Sequence, residues 1–115
     1  NSVCILKNNI ISVNSIDPEF LGLHKSSLKD IQIQTRQNAI ESFVGVLNNT
    51  ANQSMIETTA LNAAGGLLVG NIADSFEDGV ELALNTINDG KAMKLLEKFV
   101  ADTGDIEKLK EITNG

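Results

Sequence analysis

Tryptophan and tyrosine are absent from this 115-residue chain, and proline, cysteine and histidine occur once each. Each scarcity removes a class of protein. With four Phe as the only aromatics, no platform exists on which nucleic-acid bases could stack, and the core has to be built from Leu, Ile, Val and Ala. The single cysteine, Cys4, excludes an internal disulfide framework and a cysteine metal cluster; it fits a reducing, intracellular setting. The single histidine, His24, excludes a metal site built on a His pair. Long apolar runs are also missing. The longest, Ala60 to Val69 with Asn62 inside it, is too short to span a bilayer. The opening "NSVCILKNN" lacks the basic region and apolar run of a signal peptide.

What is present suits one ordinary domain: 42% hydrophobic and 21% charged residues. The net charge is −6, and its placement is uneven. Residues 1–50 balance Lys7, Lys25, Lys29 and Arg36 against Asp17, Glu19, Asp30 and Glu41. Residues 51–115 carry eleven acids against five lysines, and so the whole excess. Such a surface is a poor match for nucleic acid or for anionic lipid. Asn1 stands where an initiator Met is usual, which suggests a processed chain or a piece of a longer one.

Val3–Leu6 and Ile10–Ile16 are rich in Val and Ile and flank Lys7-Asn8-Asn9. Asn tolerates positive φ, so Asn8-Asn9 predicts the tight turn of an antiparallel hairpin. Ile11, Val13 and Ile16 do not alternate cleanly, which leaves the buried face of the hairpin open. Asp17-Pro18 predicts a cap and a first turn, stopped at Gly22. Residues 23–34 are expected to be a connecting segment, with Ser27-Leu28-Lys29-Asp30 resembling a capping box. From Thr35 the period becomes helical: Ala39, Ile40, Phe43, Val44 and Leu47 form a stripe. Further helices are expected over Gln53–Val69 with Gly70 as stop, from Ser75 to Gly90, over Lys91–Ala101, and from Gly104-Asp105 onward. The expectation is therefore strands and a connecting segment over 1–34 and helices over 35–115, a short β-hairpin followed by four to five helices. A two-stranded hairpin alone is marginal in water, so strands outside this chain are expected to pair with it.

Four features could carry chemistry. "NAAGGLLVG" (62–70) has three glycines but matches neither G-x-G-x-x-G nor G-x-x-x-x-G-K-[ST], and helix rather than strand precedes it. It reads as a helix apolar all round and hence buried, with Gly65 and Gly66 allowing a neighbouring backbone to approach. Asp74, Glu77, Asp78 and Glu81 lack the order of a Ca²⁺ loop. They suit a solvated helix start where the dipole favours acids. His24, in "GLHKSS", reads as a surface-loop residue without a paired nucleophile. Cys4, among strand-like apolar residues, is expected to be buried and inert. No catalytic, substrate-binding or metal residue is assigned within 1–115.

The order of signatures nevertheless resembles a known family. "SIDPEFLGLHKSSLKDI" (15–31), "NAIESFVGVL" (38–47) and "TALNAAGGLLVGNIADSFEDGVELALNTINDGKAMKLLEKF" (59–99) are similar, in one order, to the C-terminal third of the anthranilate phosphoribosyltransferases. The features that carry the likeness are Asp17-Pro18-Glu19, Leu21-Gly22-Leu23, Asn38-Ala39, Leu61-Asn62-Ala63-Ala64, Gly79-Val80 and Gly90-Lys91-Ala92. The chain departs from the family at "QIQTRQ" (32–37), where a "GGD" stretch is frequent.

The resemblance implies the C-terminal portion of a large α/β domain of the kind shared with pyrimidine nucleoside phosphorylases. It implies transfer of phosphoribosyl from phosphoribosyl pyrophosphate to anthranilate in tryptophan biosynthesis, with Mg²⁺, in a cytoplasmic enzyme that dimerises through a separate helical domain. The family's pyrophosphate loop, metal-binding Asp-Glu pair and anthranilate-contacting Arg lie upstream of the matching region, so none maps onto a position here. On that expectation the isolated chain is inactive. Two alternatives stay open: a portion of a nucleoside phosphorylase-like enzyme with another acceptor, or a small non-catalytic interaction module.

Overall fold

The computed structural model of the chain describes residues 1–114. Ser2–Lys7 (β1) pairs antiparallel with Ile10–Ser15 (β2), in a register that sets Cys4 against Val13 and Leu6 against Ile11. The turn is built as expected: Asn8 and Asn9 have φ of 53° and 60°, the left-handed pair that a two-residue hairpin requires. Val3 and Ile5 are half-buried, whereas Cys4, Leu6, Ile11 and Val13 share the opposite, exposed face. The thiol of Cys4 is therefore exposed, contrary to the expectation of a buried one. Its neighbours are apolar, but nothing among the described residues covers them.

Pro18–Leu21 makes a single 3-10 turn capped by the Asp17 carboxylate, which accepts the Glu19 N–H at 3.1 Å. Gly22 ends it at φ 76°, a conformation that carries no steric cost without Cβ. The connecting segment holds a second 3-10 turn, Leu28–Ile31, with a complete capping box between Ser27 and Asp30. "IQIQ", which alternates like a strand, forms none.

Five helices follow: α1 Arg36–Leu47, α2 Gln53–Val69, α3 Phe76–Asn88, α4 Lys91–Thr103 and α5 Ile106–Asn114. Four start on a side-chain cap; for α5 it is Asp105, whose Oδ1 accepts the Glu107 and Lys108 N–H groups at 3.1 and 3.4 Å. Thr35 Oγ1 accepts the Asn38 N–H, Asn52 Oδ1 accepts the Met55 N–H and Ser75 Oγ accepts the Asp78 N–H. Each cap satisfies a backbone donor that the helix itself cannot. Gly70 caps the end of α2 at φ −77°; the left-handed residue is the next one, Asn71, at 54°.

Two small cores result. Leu23, Ala64 and Val80 pack with Leu21, Leu61, Phe76 and Leu84 between α2, α3 and the first turn. Val44, Met93 and Leu109 pack with Leu47, Leu96, Val100, Ile106 and Ile112 between α1, α4 and α5. The stripe predicted for α3 is the one that packs. That of α1 is rotated: Val44 and Val46 are buried, but Ala39 and Phe43 are exposed. Period alone places residues on a face; it does not say whether anything covers that face.

The buried-helix expectation for α2 also needs correction. Only Glu57, Ala60 and Ala64 are buried, and a Cβ at Gly66 would meet nothing within 4 Å. The close approach lies elsewhere. A Cβ at Gly79 of α3 would stand 2.8 Å from Ala64 Cβ and 2.9 Å from its Cα. Gly79 and Ala64 thus bring α2 and α3 together, and Gly65 and Gly66 do not.

Candidate functional site

Glu57 is the only charged residue in the seventeen of α2. It is also the only buried polar residue among those described, at 9% exposure. A carboxylate out of water needs partners, and the chain supplies three. The backbone N–H of His24 donates to Oε2 at 2.7 Å. The ring Nδ1 of His24 lies 2.7 Å from Oε1. Gln53, one helical turn earlier, donates its Nε2 to Oε1 at 2.8 Å. Because an ionised carboxylate only accepts, the short contact to Nδ1 places a proton on that nitrogen. The Nε2 of Gln53 is also 2.8 Å from Nδ1. Both nitrogens then carry hydrogens toward the same oxygen, and this contact is proximity rather than a bond.

These neighbours decide the ionisation of Glu57. Burial pushes its pKa up, but hydrogen bonds from the ring and backbone of His24 and from Gln53, with the charge of His24, together hold it below the usual carboxylate range. The imidazole itself is 70% exposed. His24 and Glu57 lie on the wall of an open cavity of about 730 Å³, shared by the base of the hairpin, the first 3-10 turn, α2 and Phe76 of α3. Ser26, Ser54 and Thr58 are on the same wall. None of them hydrogen-bonds to His24 among the described residues, and so no nucleophile–base pair is formed.

His24 was expected as a plain surface-loop residue; its ring is indeed exposed, but its other partner is Glu57, 33 residues away. Sequence reasoning passed over Glu57. The available signal was one acid alone in an apolar helix. Asp74, Glu77, Asp78 and Glu81 are exposed or at the helix start as expected. No three of the described His, Cys, Asp and Glu residues are grouped to hold a metal ion. No helix among the described residues is long and apolar enough to cross a membrane.

Comparison with known proteins adds what the geometry does not carry. Residues 1–93 match the family described as "Glycosyl transferase family, a/b domain". The chain is 73% identical, over all 115 residues, to an anthranilate phosphoribosyltransferase of Nitrosopumilus maritimus, of which it covers 33%. It is 44% identical over 110 residues to one of Cenarchaeum symbiosum, with 96% of the chain and 32% of the relative covered. One from Streptococcus pneumoniae is 37% identical over 94 residues, covering 82% and 28%. The chain spans about a third of the length of these curated relatives.

Proposed function

Since the chain belongs to the glycosyl transferase family whose a/b domain it matches, we propose that it is a structural portion of an anthranilate phosphoribosyltransferase. The observation that carries the reading is the unbroken match of the whole chain to one third of a relative bearing that name. The reaction is transfer of phosphoribosyl from phosphoribosyl pyrophosphate to anthranilate. The chain forms the C-terminal part of the α/β domain, and its job is mechanical. Its helices pack as a layer, its hairpin extends a sheet, and residues outside 1–115 bind both substrates and Mg²⁺. The enzyme is a cytoplasmic homodimer on this reading.

Three features of the structure support a mechanical role. The cores are small, and no large side chain among the described residues is fully buried. An apolar hairpin face has no cover among the described residues. The one buried ionisable cluster fastens a segment rather than presenting a nucleophile. The test is an assay of anthranilate loss that depends on phosphoribosyl pyrophosphate. The whole protein carrying these residues is expected to consume anthranilate, and the isolated 115 residues are expected not to. Turnover by the isolated chain would overturn the mechanical assignment. A whole protein that ignores anthranilate but accepts another base would overturn the acceptor.

A further inference from the structure

The connecting segment between Gly22 and α1 is tied to α2 at two points of different chemistry. At its start, Glu57 holds both the backbone and the ring of His24, each at 2.7 Å. Further on, the Asn52 side chain donates to the carbonyl of Asp30 at 2.9 Å while its Oδ1 caps α2. Only the first tie can titrate. Leu23, immediately before it, is buried against Ala64 and Val80. Gly22 before that is the left-handed joint of the segment. The Ser27–Asp30 capping box closes the other side as a self-contained turn.

From this placement we propose that Glu57 is an ionisation-controlled clasp. While its carboxylate is charged, it pins His24 to α2 and keeps Leu23 in the α2–α3 core. Protonation removes the charge and leaves a single carbonyl acceptor where two oxygens were bonded. Residues 22–27 then swing about Gly22, while Asn52 still retains Asp30.

The surroundings make Glu57 the controlling group. On α2 no other residue is charged. From the connecting segment, His24 faces it and Lys25 lines the same cavity; from the first 3-10 turn come Asp17 and Glu19, and from the strand end the amine of Asn1. From α3 the cavity receives the uncharged Phe76, and Glu77, Asp78 and Glu81 are exposed. The clasp stands on geometry within the chain and does not depend on the transferase reading.

Hydrogen exchange read by mass spectrometry on the whole protein tests it, with rates corrected for the intrinsic effect of pH. Glu57→Ala removes every acceptor, and exchange of a peptide over 22–27 should accelerate roughly tenfold or more, with peptides from α4 and α5 unchanged. Glu57→Gln keeps the shape without the titration. Between about pH 3 and 5.5 a parent peptide over 22–26, which leaves out the Ser27 N–H held by Asp30, should lose protection as pH falls, whereas the same peptide of the Gln variant should be flat. If Glu57→Ala does not fold, the Gln variant decides alone. Parent-like protection in the Ala variant, or a parent-like pH response in the Gln variant, would overturn the clasp.

Discussion

A methyl group placed at Gly79 would stand 2.8 Å from Ala64 Cβ and 2.9 Å from its Cα. These atoms are fixed to the backbone of α2 and cannot rotate aside, so the helices themselves would have to part. Overpacking of this kind costs about 1–3 kcal/mol, more than the roughly 1 kcal/mol that Ala gains over Gly in a helix. Gly79→Ala should therefore destabilise, by up to about 2 kcal/mol net. At Gly66 there is open space, and the same substitution should stabilise by about 0.4–1 kcal/mol. Denaturant melts of both variants of the chain check the pair; Gly66→Ala melting below the parent would show that another element approaches that face. Glu57 sets a third expectation at this scale. Its pKa is lower in the fold than in the unfolded chain. Its contribution is thus present above the ordinary carboxylate pKa and lost as pH falls through the folded value. Parent and Glu57→Gln should differ most near neutral pH and converge in acid, as a series of thermal melts would show.

At the scale of elements, Asn52 joins two jobs in one side chain: Oδ1 caps α2 and Nδ2 holds Asp30. Asn52→Ala should cost about 1–2 kcal/mol, near the upper range for a lost cap, because the Asp30 tie goes with it. Double-mutant cycles with Glu57→Gln would show whether the two ties couple. The elements themselves were largely legible in the sequence because their signals are local. Asn8-Asn9 dictates the hairpin turn, Asp17-Pro18 and Gly22 bracket the first 3-10 turn, and Ser75 starts α3. What escaped was non-local. Glu57 meets His24 across 33 residues, and Gly79 meets Ala64 across the α2–α3 interface; no spacing rule within one helix reveals either. Phe43 failed for a third reason, since a correct helical stripe does not disclose what covers it.

For the whole molecule, the radius of gyration is 15.9 Å and the extents are 48 × 32 × 23 Å, whereas a compact chain of similar length has about 13 Å. The outer face of the hairpin carries Leu6, Ile11 and Val13, each near 70% exposed. Two free strand edges beside such a face invite pairing with another chain. Alone in solution, the 115 residues should self-associate, and light scattering after size exclusion should show species larger than 12.3 kDa. Ile11→Lys with Val13→Lys puts two charges on that face and should return the isolated chain toward monomer. In the whole protein the same pair should act in the opposite sense. If the face is covered there, each substitution loses about 1.5–3 kcal/mol of apolar burial and adds a charge without a partner, so the melting temperature should drop sharply. An unchanged whole protein would mean that the hairpin face is open to solvent there as well, and a cover for that face would have to be abandoned.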